Sequence, residues 1–191
     1  MFDHLPEKPD PQVFIYQIDE NDLITYVSDN WNQFAQDNNA AENTFQPCVL
    51  NKPIWNFIVD LETRHLYKIL VNKVRSTGTI IRVPFRCDSV GLRRFMIMTI
   101  NPLSGNNIEL LSHLLRIERR DSVQILDKNS TRSNAMITMC SFCKKIAVAK
   151  NKWEEAEEAI RILHLFDSAQ MPQITHGLCP ECYQAVLGEL D

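Results

Sequence analysis

Residues 80–117 read IIRVPFRCDSVGLRRFMIMTINPLSGNNIELLSHLLRI and decide the fold of the first part of the chain. They contain three runs rich in β-branched and aromatic residues, separated by the turn-forming segments DSVGL and NPLSGNN. The runs are Ile80–Cys87, Arg93–Ile100 and Ile108–Ile117. Short turns between neighbouring strands favour antiparallel pairing. The sequence therefore predicts a three-stranded antiparallel meander.

The first of these runs alternates in side-chain character, as a strand with one buried face does. The apolar set is Ile81, Val83, Phe85 and Cys87, and the other set is Arg82, Pro84 and Arg86. We therefore expect the apolar set in the core and the arginines in solvent. Proline lacks the N–H that a strand ladder needs, so this strand belongs at a sheet edge or at an irregular pairing.

Upstream of the meander, the sequence predicts a hairpin followed by helical segments. Residues 13–16 and 23–27 are short β-branched and aromatic runs around the turn IDEND. Residues 31–38, WNQFAQDN, place apolar side chains at helical spacing. Asp60 can cap a longer helix, which Gly78 ends. The order is thus strand, strand, short helices, long helix and three strands.

Three stretches within this order resemble small bacterial PAS-domain proteins. SDNWNQFAQDNN (28–39) is similar to their first helix, and LNKPIWNFIVDLETRHLYKILVNKVR (50–75) to their next helical segment. VPFRCDSVGLRRFMIMTINPL (83–103) is similar to their central hairpin. The resemblance implies a PAS-like antiparallel sheet with flanking helices over residues 12–118, and a role in sensing or protein interaction. It implies no particular ligand, because fold analogy does not supply one.

The resemblance also bears on partners and on a ligand pocket. PAS domains often associate through their sheets, so a homodimer is implied, and the output would pass to an unidentified protein partner. A small molecule could bind within the core, and the aromatic candidates for lining its pocket are Trp31, Phe34, Phe57, Phe85 and Phe95. Aromatic residues at these spacings equally suit an ordinary hydrophobic core.

Haem-binding and light-sensing members of the PAS family raise two cofactors for this chain. His65 lies on the long predicted helix, where haem-binding members place an axial histidine. Cys48 and Cys87 lack the cysteine-bearing helix motif of the light-sensing members, so we expect buried thiols without a chemical role at both positions. Neither haem nor flavin is expected.

A second unit follows the PAS-like region. Residues 119–134, ending DKNSTRSN, are mostly polar without clear periodicity and predict a linker, so the second unit spans 135–191. Within it, NKWEEAEEAIRILHLF (151–166) predicts one helix that Asn151 could cap. The inward face would hold Trp153, Ala156, Ile160 and Leu163, and the water-facing side Glu154, Glu155, Glu157 and Glu158.

Two Cys-x-x-Cys pairs flank that helix. They are Cys140 and Cys143 in MCSFCKK, and Cys179 and Cys182 in THGLCPECY. Each pair places two sulfurs on one side of a tight turn, so together they supply four thiolates for a tetrahedral zinc site. Cys182 would lie in the first turn of a helix, where the helix dipole stabilises a thiolate. An all-cysteine site leaves no open coordination position, so we predict structural zinc.

Two other roles remain open for these cysteines. One is a thiol switch that forms disulfides and releases zinc on oxidation, and the other is no joint role at all. His176, three residues before Cys179, is a neighbour of the site or an alternative ligand, and Lys144 or Lys145 would lie beside the negatively charged thiolates. The segment also resembles a small cysteine-rich appendage of bacterial signalling proteins, which implies a zinc-stabilised α/β module of treble-clef-like or ribbon-like form.

Composition and missing motifs limit the function classes. The 191 residues carry a net charge of −4, and only residues 61–100 are basic, so nucleic-acid binding would need their arginines to form one patch. Pairing of these arginines with the acidic N-terminal segment is the alternative. No phosphate-binding glycine loop, HExxH motif or GxSxG elbow occurs, so we expect no enzyme.

Location follows from the absence of membrane and export signals. No run of about 20 apolar residues occurs, and the first residues lack the basic start and apolar run of a signal peptide. The sequence as a whole predicts an α+β, non-enzymatic cytoplasmic protein of signalling or protein interaction, with a PAS-like domain and a zinc module. The alternatives are the thiol switch and a nucleic-acid-binding regulator.

Overall fold

The computed structural model describes residues 13–37, 42–58, 60–167 and 170–189. Other residues of the predicted units lie outside the described part of the chain, namely 12, 38–41, 59, 168–169 and 190–191. The described residues form four α-helices and two β-sheets, so the predicted α+β class is confirmed. None of the described helices is long and apolar enough to cross a membrane.

The first sheet is antiparallel and has the strand order β2-β1-β5-β4-β3. Its strands are β1 (Val13–Ile18), β2 (Ile24–Val27), β3 (Ile81–Arg86), β4 (Leu92–Pro102) and β5 (Ile108–Arg119). The predicted hairpin is β1-β2, and the predicted meander is β3-β4-β5. Among the described strands β3 pairs only with β4, so Pro84 lies on an edge strand, where its missing N–H breaks no ladder.

Two helices connect β2 to β3, α1 (Trp31–Asp37) and α2 (Leu61–Thr77). Asp60 caps α2 as predicted, because its carboxylate accepts a hydrogen bond of 2.7 Å from the backbone N–H of Thr63. Gly78 ends the helix in the left-handed conformation at φ 70°. α2 turns its apolar stripe inward, and the buried members are Leu66, Leu70, Val71 and Val74.

The second sheet is mixed and has the order β8-β7-β6-β9. Its strands are β6 (Arg132–Cys140), β7 (Ile146–Ala149), β8 (Lys152–Glu154) and β9 (Met171–Gly177), and its helices are α3 (Ala156–Ile162) and α4 (Pro180–Gly188). Strands β6 and β9 run parallel, with Cys140 opposite Gly177. Since parallel strands end at the same sheet edge, this pairing brings the two cysteine pairs together.

The predicted helix over residues 151–166 is only partly correct. Trp153 lies in β8 opposite Ala147, and α3 begins at Ala156. Asn151 has φ 59° and lies in the turn between β7 and β8, so it caps no helix. A short hairpin turn favours left-handed Asn, and strand pairing therefore takes the first residues of this amphipathic run away from the helix.

Two buried clusters form the core. The larger cluster combines side chains of the first sheet and α2 with Cys140, Phe142, Cys179 and Val186 of the second unit. The smaller cluster combines side chains of the second unit with Val123 and Ile125, which are 2% and 0% exposed. These two residues belong to the stretch interpreted as a linker. The two units therefore share a hydrophobic core and are joined by a partly buried segment.

The predicted exposure of the central arginines is wrong for Arg86. Its side chain is 8% exposed and pairs with Asp88 and with Glu155, whose Oε2 lies 2.8 Å from Nη1. Arg93 pairs with Glu157 at 2.8 Å. The two glutamates were expected to face water. They pair with arginines because the beginning of α3 lies against the end of β3. The alternation of residues along one strand does not reveal such a contact with a distant helix.

Candidate metal centre

The first cysteine pair lies on a tight turn that leaves the end of β6. The backbone N–H of Cys140 donates to the carbonyl of Lys145 at 2.8 Å, and the N–H of Lys144 donates to the carbonyl of Cys140 at 3.1 Å. Lys144 adopts φ 62°, which turns the chain back on itself. These bonds direct the sulfurs of Cys140 and Cys143 towards the same point.

The second pair begins α4. Cys179 occupies the N-cap position, with Pro180 in the first turn, and the backbone N–H of Cys182 donates to the Cys179 sulfur at 3.4 Å. The N–H of Cys179 donates to the sulfur of Cys140 at 3.5 Å. Cys182 thus lies in the first helical turn, as predicted. Backbone N–H groups from this helix start stabilise negative charge on the sulfurs.

The four sulfurs form one compact group, in which all lie within 4.8 Å of one another. Cys143 Sγ and Cys179 Sγ are 3.6 Å apart. A tetrahedron with Zn–S bonds of about 2.3 Å has sulfur–sulfur edges of about 3.8 Å. Cys140 and Cys179 are 0% and 2% exposed, whereas Cys143 and Cys182 are partly exposed. The group is therefore a possible metal site with nearly the dimensions of a four-thiolate centre.

The thiols change one another's pKa values because their sulfurs lie so close together. Hydrogen bonding by Cys143 and Cys182 lowers the pKa of Cys140 far below that of an ordinary thiol. The same hydrogen bonds to Cys140 raise the pKa of Cys143 to about 12 and the pKa of Cys182 well above its usual value. One thiolate is thus stabilised by its protonated neighbours. A dication would replace their protons, and a soft four-sulfur donor set fits Zn²⁺.

The residues predicted around the thiolates have different positions. Lys145 Nζ lies 3.0 Å from Glu181 Oε2, so this ion pair joins the two cysteine turns. Lys144 Nζ donates to the Ser141 carbonyl at 2.7 Å. His176 is an exposed residue of β9 opposite Met139, and the described cluster of ligand atoms contains the four cysteines without it.

Comparison with known proteins adds no family to this geometry. No protein-family model and no curated protein matches the sequence. The interpretation of the site therefore rests on its four cysteine sulfurs, on their spacing in the sequence and on the residues around them.

The first cysteine turn packs directly against α2. The Thr63 hydroxyl donates a hydrogen bond to Ser141 Oγ at 2.6 Å, and the rings of Tyr67 and Phe142 lie 6.2 Å apart between centroids. On the other side of the turn, the backbone N–H of Arg86 donates to the Phe142 carbonyl at 2.7 Å. The residues between Cys140 and Cys143 thus contact both a helix and the edge strand of the first unit.

The aromatic residues predicted for a ligand pocket divide into two groups. Trp31, Phe34 and Phe85 line a cavity of about 320 Å³, and Phe57 lines a neighbouring cavity of about 210 Å³, which Trp31 also borders. Phe95 lies elsewhere, since its ring centroid is 4.1 Å from the guanidinium carbon of Arg116. The structure therefore gathers four of these five residues around cavities and leaves Phe95 outside them.

The remaining predicted residues lie apart from the sulfur cluster. His65 is exposed on α2 and lines a groove with Pro180 and Tyr183 of α4. Cys48 is exposed, which contradicts its expected burial. Cys87 lines the larger cavity, and burial raises its pKa above that of a free thiol.

Sequence reasoning missed the two tyrosines that border both cavities, Tyr16 and Tyr67. A signal for each was present. Tyr16 lies on the same face of β1 as the buried residues Phe14 and Ile18, and Tyr67 directly follows the buried Leu66 in α2. The packing of Ser141 on Thr63 had no such signal, because the two residues are far apart in the sequence.

Proposed function

We propose that the chain is a non-enzymatic cytoplasmic protein of signalling or protein interaction, in which a PAS-like domain is coupled to a structural zinc module. The order strand, strand, short helices, long helix and three strands, on which the PAS resemblance rests, agrees with the element order of the first unit. The four clustered sulfurs support zinc in the second unit. The PAS-like domain would respond to a small molecule or a partner.

One observation carries this proposal, namely the contact between the first cysteine turn and α2. Zinc would fix the turn that holds Ser141 and Phe142, and this turn contacts Thr63 and Tyr67 of α2. A structural change in the core of the first unit would then alter the packing around the metal site. Binding or loss of zinc would in turn alter the packing on α2. Such coupling requires two arrangements of the turn on α2 that differ in their contacts.

Hydrogen exchange tests the coupling. The zinc-loaded protein is compared with the protein treated with a strong zinc chelator, and exchange is followed separately for each element. We expect faster exchange in the second unit and also over α2, residues 61–77, because the turn that covers α2 loses its metal. The β1-β2 hairpin serves as the internal reference, because its strand β2 lies at the opposite edge of the first sheet from β3, which contacts the turn. Faster exchange confined to residues 135–189 would contradict the coupling.

The thiol switch is the second candidate, and the partial exposure of Cys143 and Cys182 favours it. One hydrogen peroxide would accept two electrons from a pair of thiolates and two protons from the solvent and become two water molecules. The two sulfurs would form a disulfide, and zinc would leave with two ligands lost. The test is the zinc content after mild peroxide treatment. Zinc that stays bound under these conditions argues against the switch.

A nucleic-acid role receives no support from the central arginines. Arg75 pairs with Asp22 at 2.7 Å, and Arg86, Arg93 and Arg120 lie among the carboxylates of Asp88, Glu155 and Glu157. Phosphates would have to displace these internal partners.

The homodimer implied by the PAS resemblance is tested by light scattering, which distinguishes one 22.1 kDa chain from two.

A further inference from the structure

The larger cavity lies between the inner face of the first sheet and the helices α1 and α2. Its volume of about 320 Å³ is at the lower end of the range of small-molecule sites, which is about 300–1,000 Å³. The neighbouring cavity of about 210 Å³ shares Tyr16, Trp31, Thr44 and Tyr67 with it. The two cavities are therefore adjacent and share part of their walls.

Aromatic rings form much of the wall. Phe14 and Phe34 lie 4.0 Å apart between ring centroids, and Tyr16 meets Trp31 edge to face at 5.8 Å. The Trp31 indole N–H donates to the Thr44 carbonyl at 2.9 Å, which fixes the orientation of that ring. Ring faces held in this way favour a flat aromatic ligand by stacking and edge contacts.

The wall carries no formal charge. Among the described residues that line the two cavities there is no Asp, Glu, Lys, Arg or His. An ionised ligand would lose its hydration there without gaining a counter-charge, and this is strongly unfavourable. The ligand is therefore uncharged.

Two tyrosine hydroxyls mark a polar point on this apolar wall. Tyr16 and Tyr67 each line both cavities. Burial raises the pKa of Tyr67 to about 12, and burial with the proximity of Tyr67 raises the pKa of Tyr16 well above its usual value. Both hydroxyls are thus protonated donors at neutral pH. Each hydroxyl can therefore donate a hydrogen bond to an acceptor on a ligand.

We propose that this cavity binds an uncharged, flat aromatic molecule bearing a carbonyl or ring-nitrogen acceptor, which receives hydrogen bonds from Tyr16 and Tyr67. The inference rests on the proposed function, because it names the ligand class of the PAS-like domain. Trp31 and the phenylalanines determine the preference for a flat apolar body, and the tyrosine pair determines the position of the acceptor.

Three naphthalene probes of similar size test the ligand class on the full zinc-loaded chain. They are 2-acetylnaphthalene, which is neutral with a carbonyl acceptor, 2-isopropylnaphthalene, which has no acceptor, and 2-naphthoate, which is anionic. Titration followed by tryptophan fluorescence gives each Kd. We expect 2-acetylnaphthalene to bind tightest, by at least about five-fold over the isopropyl analogue, as one net hydrogen bond of about 1 kcal/mol implies. The naphthoate is expected to bind weakest.

Tyrosine variants locate the acceptor contact. Tyr16→Phe and Tyr67→Phe each keep the ring and remove one donor, so each is expected to reduce the five-fold preference, and the double variant is expected to abolish it. Tyr26→Phe removes the hydroxyl of a tyrosine that is 43% exposed on β2 and serves as the matched control, with the preference unchanged.

Three outcomes overturn the inference: no probe binds, the naphthoate binds best, or the preference for the ketone survives in the double variant. Zinc content is measured in the same samples. Loss of probe binding with one zinc retained refutes the ligand class alone, whereas absence of zinc with probe binding intact refutes the zinc module alone.

Discussion

At the residue scale, Gly177 shows how closely the second unit approaches α2. A Cβ atom at this position would lie 3.1 Å from Thr138 Cγ2 and 3.3 Å from Glu62 Oε2. Both neighbours are side-chain atoms, so they can move by a few tenths of an ångström at some loss of packing. The absence of a side chain at this residue therefore lets the strand before the second cysteine pair lie against the helix.

We expect Gly177→Ala to destabilise the protein by about 1 kcal/mol through this crowding. The control is Gly188→Ala at the end of α4, where a Cβ meets nothing within 4 Å and alanine favours the helix. Urea unfolding measures both. Equal stability changes in the two variants would contradict the close approach.

The ionisation of Glu157 makes the free energy of unfolding depend on pH. Burial opposes its ionisation, but the hydrogen bonds from its own backbone N–H and from Arg93 outweigh that effect and lower its pKa. A lowered folded-state pKa stabilises the protein above the unfolded-state pKa of about 4.3, and this contribution is lost as pH falls through the folded-state pKa.

Glu157→Gln is therefore expected to lower the free energy of unfolding at pH 7, by at most about 1 kcal/mol because the side chain is 35% exposed. The difference from the original protein should shrink below about pH 4 and disappear once the carboxyl is protonated. Unfolding measured from pH 3 to pH 7 gives this profile. Glu42→Gln, in an exposed turn, is the control, and an equal pH profile in both variants would contradict the assignment.

At the element scale, β3 presents two arginines with opposite surroundings. Arg82 is exposed, whereas the Arg86 side chain is 8% exposed and pairs with Asp88, which is 1% exposed. Among the described residues, removing Arg86 leaves the buried Asp88 with Arg120 as its ion-pair partner, at 3.4 Å. A buried carboxylate that loses its main partner is strongly destabilising.

Arg86→Met is expected to lower the free energy of unfolding by about 3 kcal/mol, whereas Arg82→Met should change it by less than about 0.5 kcal/mol. The two variants remove the same group from the same strand, and guanidinium denaturation compares them. Similar small effects would show that the pairing of Arg86 with Asp88 and Glu155 contributes little.

The elements predicted from the sequence are those whose signals are local. Asp60 and Gly78 mark the ends of α2 by their capping chemistry, and the alternation around Pro84 marks an edge strand. The hairpin β7-β8 was missed because residues 152–163 also fit a helical stripe. Pairing of Trp153 with Ala147 overrides that stripe, and no periodicity in the sequence records it.

At the scale of the whole molecule, the sequence predicted the group of four cysteines but not its packing on the first unit. Cys-x-x-Cys spacing identifies ligands because the chemistry requires a local turn. The parallel pairing of β6 with β9, the contact of Phe142 with Tyr67 and the partners of Arg86 all depend on residues distant in sequence. Such contacts depend on the chain topology, and a single sequence specifies that topology only weakly.

The shared core predicts one cooperative unfolding event that depends on metal. Cys140, Phe142 and Cys179 belong to the same buried cluster as Leu66 and Leu70 of α2. Removing zinc with a chelator is therefore expected to lower the Tm of a single calorimetric transition by many degrees, since structural zinc contributes directly to folding free energy. Two separate transitions, with the upper one unaffected by the chelator, would contradict a shared core.

The central claim is that Cys140, Cys143, Cys179 and Cys182 hold one zinc ion. Elemental analysis of the untagged protein, purified without added metal and recorded with its visible spectrum, tests it most directly. We predict about one zinc per chain without a visible band, and zinc lost in Cys140→Ser but retained in Cys48→Ser, which removes an exposed thiol outside the cluster. Protein that is folded without zinc, or zinc that survives in Cys140→Ser at full stoichiometry, would contradict the account.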